Sequence, residues 1–157
     1  MKIGLTYDLR QDYLDMGFSE EETAEFDKES TIIGIEKALN ELGYETERIG
    51  HIKNLVKSLA DGKSWDLVFN IAEGLYGIAR EAQIPAILEA YKIPHIFSSA
   101  FTLAVCLDKG LTKTIIQQNK IPTADFAVVK TIEDVEKINL PYPLFAKPIA
   151  EGTGKGV

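Results

Sequence analysis

The sequence has little cysteine, a shortage of positive charge and no long apolar run. Its single cysteine, Cys106, excludes a disulfide framework and a cysteine-based metal site. Because Cys106 lies within the apolar run 103–107, we expect it to pack in the core as a small hydrophobic side chain. No run of about 18 apolar residues is present, so we expect no membrane-spanning segment and no membrane partner.

Basic residues are too few for a general nucleic-acid binder. The chain carries 17 Lys and Arg against 24 Asp and Glu, a net charge of −7. Contacts to a phosphate backbone need clustered cations, so nucleic acid is an unsuitable partner. The first residues form a strand-like run without a leader pattern. We therefore expect a cytoplasmic protein that acts on small molecules.

Apolar runs and amphipathic stretches alternate over the first 120 residues. Strands are predicted at 2–8, 44–49, 67–71 and 93–97. Helices are predicted from Ser19, which opens a capping-box pattern, to 42, and at 52–60, 80–91, 99–106 and 108–118; residues 9–18 are predicted to be a loop. This order predicts an α/β fold, a parallel sheet covered by helices.

The pattern changes after Ile121-Pro122-Thr123, which indicates a domain boundary. Strands are predicted at 124–129 and 143–148, with a short helix at 131–137. A glycine-rich loop follows, and the sequence stops within it. A strand should come next to pair with the preceding one, so we expect the chain to be a piece of a longer protein.

The glycine-rich loop has the composition of an anion site. Its alternating glycines allow backbone N–H groups to approach a phosphate closely, and Lys147 and Lys155 add positive charge. It is neither a Walker A motif nor a dinucleotide fingerprint. On the local sequence alone, a hairpin turn and a phosphate loop remain equally open.

Three segments resemble D-alanine–D-alanine ligases of the ATP-grasp superfamily in order and spacing. The most specific is residues 145–157, FAKPIAEGTGKGV, which resembles K-P-x-x-E-G-[ST]-x-x-G-V. Residues 107–113, LDKGLTK, are similar to M-D-K-x-x-[ST]-K, and residues 72–89 are similar to a looser loop-and-helix motif. The resemblance implies a parallel three-layer, Rossmann-like pre-ATP-grasp domain at 1–120, followed by the beginning of an α+β ATP-grasp domain at 121–157.

The resemblance also implies roles for individual residues. Lys109 and Lys147 match the two lysines that contact ATP. Thr153 matches the loop hydroxyl that closes over phosphates and substrate, and is the candidate catalytic residue. The rest of the candidate nucleotide loop consists of Glu151, Gly152, Gly154, Lys155 and Gly156, of which Lys155 departs from the family pattern.

On the substrate side, this sequence departs from the family. The acid that binds the first amino acid follows a short loop in the family, but here about twenty residues intervene before Glu29, its best match. The family's His-Gly is replaced by 70–74, NIAEG, which makes Glu73 the second candidate substrate residue. For Glu29, an exposed helix carboxylate is an equal alternative.

The activity implied by the resemblance is ATP-dependent amide formation between two amino acids through an acyl phosphate, as in peptidoglycan precursor synthesis. ATP and Mg²⁺ would be the cofactors, with metal ligands expected beyond this segment and none within it, so we expect this piece alone to be inactive. The family is often homodimeric. The alternative is another ATP-grasp carboxylate–amine ligase with a different amino-acid substrate.

Two further hypotheses for the function lie outside the ligase class. A receiver domain shares the β–α alternation, but Asn70 occupies the position where such domains need a phosphorylatable aspartate. A non-catalytic relative used for protein interaction is the other reading, and the presence of both Lys109 and Lys147 counts against it.

Overall fold

The computed structural model describes residues 1–152, 154 and 155, and its centre is a small parallel sheet. The strands are β1 (Lys2–Thr6), β2 (Glu45–Gly50) and β3 (Leu67–Asn70), in the order β2-β1-β3. Both pairings of β1 are parallel. The predicted α/β fold with a parallel sheet is thereby confirmed.

Helices connect and flank the strands. They are α1 (Arg10–Asp15), α2 (Glu29–Glu41), α3 (Ile52–Ala60), α4 (Gln83–Ala90), α5 (Ala100–Leu107), α6 (Lys109–Gln118) and α7 (Ile132–Val135), and a 3₁₀ turn (Arg80–Ala82) leads into α4. Asp108 caps α6, because its carboxylate accepts a hydrogen bond from the Leu111 N–H at 2.8 Å. This cap fixes Lys109 at the first position of α6.

The main hydrophobic core lies on the face of the sheet that α3 and α4 cover. It consists of Ile49, Leu55, Leu59, Trp65, Val68, Ala72, Ile84, Leu88 and Ile93. Each large side chain buried in this way contributes roughly 1.5–3 kcal/mol. Gly4 lies on the same face, where a β-carbon would come within 2.5 Å of Ile49 Cδ1. The neighbouring Ile3 and Leu5, also buried, point to the opposite face of the sheet.

The predicted strand at 93–97 is wrong in extent. Only His95 pairs with the sheet, through a parallel bridge to Val68. The Val68 N–H donates to Pro94 O at 2.8 Å, and the Ile96 N–H donates to Val68 O at 3.0 Å. Pro94 has no N–H to donate, and Phe97 turns to φ 70°, so the ladder ends after one residue.

The predictions for residues 9–28 are also wrong. Residues 9–18 contain α1 rather than only a loop, and residues 20–25 form turns instead of a helix. The capping box between Ser19 and Glu22 does form. The chain then becomes extended, because the Asp27 N–H donates to Asp8 O at 3.0 Å. That contact ties Asp27 to the segment just after β1, and α2 begins only at Glu29.

Neither strand predicted at 124–129 and 143–148 forms. A strand needs a hydrogen-bonded neighbour, and in the described part of the chain these segments have none. Val128, Val129, Leu144 and Phe145 are exposed. The short helix predicted at 131–137 is present as α7, and the domain boundary at 121 stays a prediction.

Cys106 is exposed, contrary to the expectation that it packs in the core. Leu107 is the buried residue of α5, whereas Phe101 is 79% exposed. An apolar run alone did not reveal that α5 leaves most of its surface uncovered. Among the described residues, no helix is both long enough and apolar enough to cross a membrane.

Candidate active site

Polar side chains meet where β1 and β3 end at the same edge of the sheet. Thr6 Oγ1 donates to Asn70 Oδ1 at 2.8 Å, and Asn70 Oδ1 also accepts from the Ala72 N–H. Asp8 Oδ2 accepts from the Gly74 N–H at 2.8 Å. Ligands of open parallel sheets bind outside the carboxyl ends of the strands. These hydrogen bonds therefore fix the loop 71–74 at the edge where a ligand is expected.

A cavity of about 380 Å³ opens at this edge. Three carboxylate side chains line it, those of Asp27, Glu73 and Glu81. Its other lining residues are Thr31, Ile35, Asn70, Ile71, Ala72, Phe97 and Leu103. Carboxylates on a partly apolar wall provide a site for a small molecule with a positively charged group.

The acids of this cavity are harder to ionise than free carboxylic acids. Burial, followed by the charges of Glu81 and Glu25, raises the pKa of Glu73 to about 7. Burial is also the main cause of the raised pKa values of Glu81 and Asp27. Arg80 opposes this effect at Glu73 and Glu81. A bound cation would stabilise the ionised acids and lower their pKa values.

The start of the glycine-rich loop lies against the first turn of α6. The Lys109 ammonium donates to Glu151 O at 2.6 Å, and the Lys109 N–H donates to Ile149 O at 2.9 Å. The Lys155 ammonium lies 3.1 Å from Glu151 Oε2. Lys109, one of the two predicted ATP-contacting lysines, and Lys155 of the predicted loop thus both contact Glu151, in the segment that contains Gly152 and Gly154.

A buried ion pair between Glu25 and Arg80 contacts the start of the same loop. Arg80 Nη2 lies 2.8 Å from Glu25 Oε2 and 3.3 Å from Glu151 Oε2. The other oxygen of Glu25, Oε1, accepts a hydrogen bond from the Gly152 N–H. The pair therefore joins the turn at 20–25, the 3₁₀ turn before α4 and the glycine-rich loop.

The remaining predicted site residues lie elsewhere or outside the description. Lys147 is exposed and forms no hydrogen bond or ion pair with the described residues. Glu29 does not line the cavity, and its carboxylate pairs with Arg48 Nη1 at 2.6 Å. Thr153 and Gly156 fall outside the described residues, so their predicted roles stay predictions.

Sequence reasoning did not select several residues that the fold brings to this region: Glu25, Asp27, Asn70 as a lining residue, Arg80 and Glu81. Glu25 and Arg80 are far apart in the sequence, and neither lies in a pattern that indicates a contact. Asp27 lies in the same segment as Glu29, but Glu29 comes just before the apolar helix and was therefore the better match to the family's substrate acid. The extended backbone contact of Asp27 with Asp8 was the missing information.

No protein-family model matches the chain. Curated relatives named D-alanine–D-alanine ligase do match it. The protein of Thermotoga maritima is 32% identical over 123 residues, which are 78% of this chain and 39% of the relative. That of Actinobacillus pleuropneumoniae is 37% identical over 127 residues, 78% of this chain and 41% of the relative. The chain therefore spans about two fifths of the length of these relatives.

Solved structures agree on the fold. The D-alanine–D-alanine ligase of Bacillus anthracis superposes with a TM-score of 0.64 at 22% identity, covering 98% of this chain and 47% of that one. The same enzyme complexed with ATP gives a TM-score of 0.57 at 21% identity, covering 96% and 48%. Over the part that it spans, this chain is related in sequence and in fold to the D-alanine–D-alanine ligases.

Proposed function

We propose that the chain forms part of an ATP-dependent ligase that joins two amino acids, as D-alanine–D-alanine ligases do for peptidoglycan precursors. The observation that carries this proposal is the 32% identity to such a ligase along 78% of the chain. The chain supplies the α/β domain at 1–120 and the start of an ATP-grasp domain at 121–157. The complete protein would act in the cytoplasm as a homodimer.

The residues around the glycine-rich loop could bind the phosphates of a nucleoside triphosphate. The ammonium groups of Lys109 and Lys155 both lie at Glu151, beside a backbone that contains Gly152 and Gly154. Phosphate oxygens would replace Glu151 as partner of these lysines, with Lys147, Thr153 and Gly156 completing the site. ATP supplies the phosphoryl group that activates a carboxylate as an acyl phosphate, and the loop excludes water from it.

Mg²⁺ is proposed as the second cofactor, because phosphoryl transfer requires neutralisation of charge on the phosphates. Among residues 1–152, 154 and 155, no group of three or more His, Cys, Asp and Glu side chains is arranged to hold a metal ion. We therefore assign no metal ligand to the described part of the chain.

The acidic cavity is the proposed site for the amino-acid substrate. Glu73 lines it, as does Asp27, which lies two residues before Glu29. Either carboxylate can accept hydrogen bonds from the ammonium group of an amino acid. Glu29 would then have no role in substrate binding, because it lies outside the cavity and pairs with Arg48.

Product analysis tests the proposal directly. The complete protein that carries this chain is incubated with Mg-ATP and D-alanine, and the products are separated and identified by mass spectrometry. We expect the D-alanyl-D-alanine dipeptide together with ADP, and neither product when ATP is replaced by a non-hydrolysable analogue. A dipeptide formed only from another amino acid in a panel would instead support the alternative ATP-grasp ligase. No product with any amino acid would contradict both.

A further inference from the structure

The ion pair between Glu25 and Arg80 is the most buried one in the described part of the chain. Their side chains are 5% and 9% exposed, and the two charged atoms lie 2.8 Å apart. A buried ion pair adds little to stability unless further hydrogen bonds satisfy its remaining atoms. The position of those further contacts indicates what the pair does.

Both Glu25 and Arg80 also contact residues at the start of the glycine-rich loop. Glu25 Oε1 accepts from the Gly152 N–H, and Arg80 Nη2 lies 3.3 Å from Glu151 Oε2. A β-carbon on Gly152 would come within 2.8 Å of Glu25 Oε1. Glycine at position 152 therefore leaves the Glu25 carboxylate room at this contact.

The pair also affects the charge that the loop presents to a ligand. Arg80 and Lys155 share one oxygen, Glu151 Oε2, at 3.3 and 3.1 Å. When Arg80 is removed, Lys155 becomes the one remaining cation within ion-pair distance of that carboxylate among the described residues. A phosphate would then compete with a stronger Lys155–Glu151 contact.

We propose that Glu25 and Arg80 are positioning residues that dock the start of the glycine-rich loop in a nucleotide-accepting conformation. They do not contact the nucleotide themselves. Glu25 holds the backbone at Gly152, and Arg80 neutralises Glu151 so that Lys155 can turn to phosphate. This inference rests on the proposed nucleotide site, although the docking contact can be tested without it.

Nucleotide affinity is the first test. The Kd for Mg-ATP is measured by calorimetry on the complete protein, for the wild type, Glu25→Gln, Arg80→Gln and the double variant. Each single variant should bind about tenfold more weakly, as expected for loss of one charge-assisted hydrogen bond. Because the two residues form one ion pair that docks one loop, the double variant should lose less affinity than the sum of the two single losses.

Two further variants separate positioning from a general loss of structure. Lys63→Gln removes an ion pair of the same 2.8 Å length, with Glu47, at a distance from the loop, and should leave the Kd unchanged. Arg80→Lys keeps the positive charge and should restore most of the affinity. The proposal is overturned if the affinity of Arg80→Gln equals that of the wild type, if Arg80→Lys is no better than Arg80→Gln, or if the losses simply add.

Hydrogen exchange at the Gly152 amide tests the docking contact independently of nucleotide. Glu25→Ala removes its acceptor, so the amide should exchange about tenfold faster. Unchanged exchange would refute docking by Glu25. If the wild type fails to bind Mg-ATP but Glu25→Ala accelerates exchange, the ligase proposal fails and the docking contact stands.

Discussion

Gly74 is the position at which a single methyl group should do most damage to the candidate site. Its φ is +74°, and a β-carbon there would come within 2.7 Å of Arg80 O, a backbone atom that cannot rotate away. Gly74 also donates its N–H to Asp8 Oδ2. This residue therefore ties the segment that carries Glu73 to Asp8 and lets it pack closely against the turn that carries Arg80.

The cost of Gly74→Ala has two parts. The left-handed backbone costs an L-residue about 1–2 kcal/mol. Relieving the contact with Arg80 O requires a backbone shift, and overpacking of this kind costs about 1–3 kcal/mol. We therefore expect the free energy of unfolding to fall by roughly 2–5 kcal/mol.

Gly62→Ala is the matched control, because Gly62 has a φ of +80° but no atom within 4 Å of the added carbon. It should lose only the backbone part, about 1–2 kcal/mol. Urea unfolding followed by circular dichroism measures both variants against the wild type. Equal destabilisation of the two variants would refute the argument that close approach to Arg80, rather than φ alone, requires glycine at position 74.

Three other perturbations give distinct results. Glu73 has a pKa raised to about 7 in the folded state, so the stability that its protonated form provides is lost as pH rises from about 4.5 to about 7. The stability of Glu73→Gln, measured by urea titration, should therefore depend less on pH across this window. An unchanged pH dependence would count against the raised pKa. Lys109→Met should weaken Mg-ATP binding by about tenfold or more, since a charge-assisted contact to phosphate is lost, whereas an unchanged Kd would remove Lys109 from the site. Exposed Cys106 should react with a thiol reagent in the native protein as fast as in urea, and protection in the native state would mean that it is covered.

The sequence was most informative where a local pattern is enough to determine the structure. The spacing of Leu55 and Leu59 predicted α3, with the bounds that the structure shows, because an amphipathic helix is defined within its own span. Continuous apolar runs predicted β1 and β3, since strands of a parallel sheet are covered on both faces. The capping contact at Asp108 likewise belongs to α6 itself.

Prediction failed where the outcome depends on distant partners. Residues 124–129 have a strand-like composition, but no neighbour pairs with them in the described part of the chain. The helix expected from Ser19 begins only at Glu29, because the Asp27 N–H donates to Asp8 O in the segment just after β1. The pair of Glu25 and Arg80 is a consequence of tertiary structure, and no spacing within either segment indicates it.

The candidate site shows the same division. Motif resemblance selected Lys109, Glu151 and Gly152. In the structure the Lys109 ammonium donates to the Glu151 carbonyl oxygen, and Gly152 is the next residue of the same loop. The substrate acid was sought by position along the chain, and this selected Glu29. Its side chain points to Arg48, whereas the backbone turn places Asp27 at the cavity.

The most direct test of the central claim is the release of inorganic phosphate from Mg-ATP by the complete protein, measured with and without D-alanine. The ligase account predicts slow release from ATP alone and release that increases with D-alanine until it saturates. Release at the same rate with and without D-alanine and every other amino acid tested would contradict the account, because the phosphoryl group would then pass to water rather than to an amino-acid carboxylate.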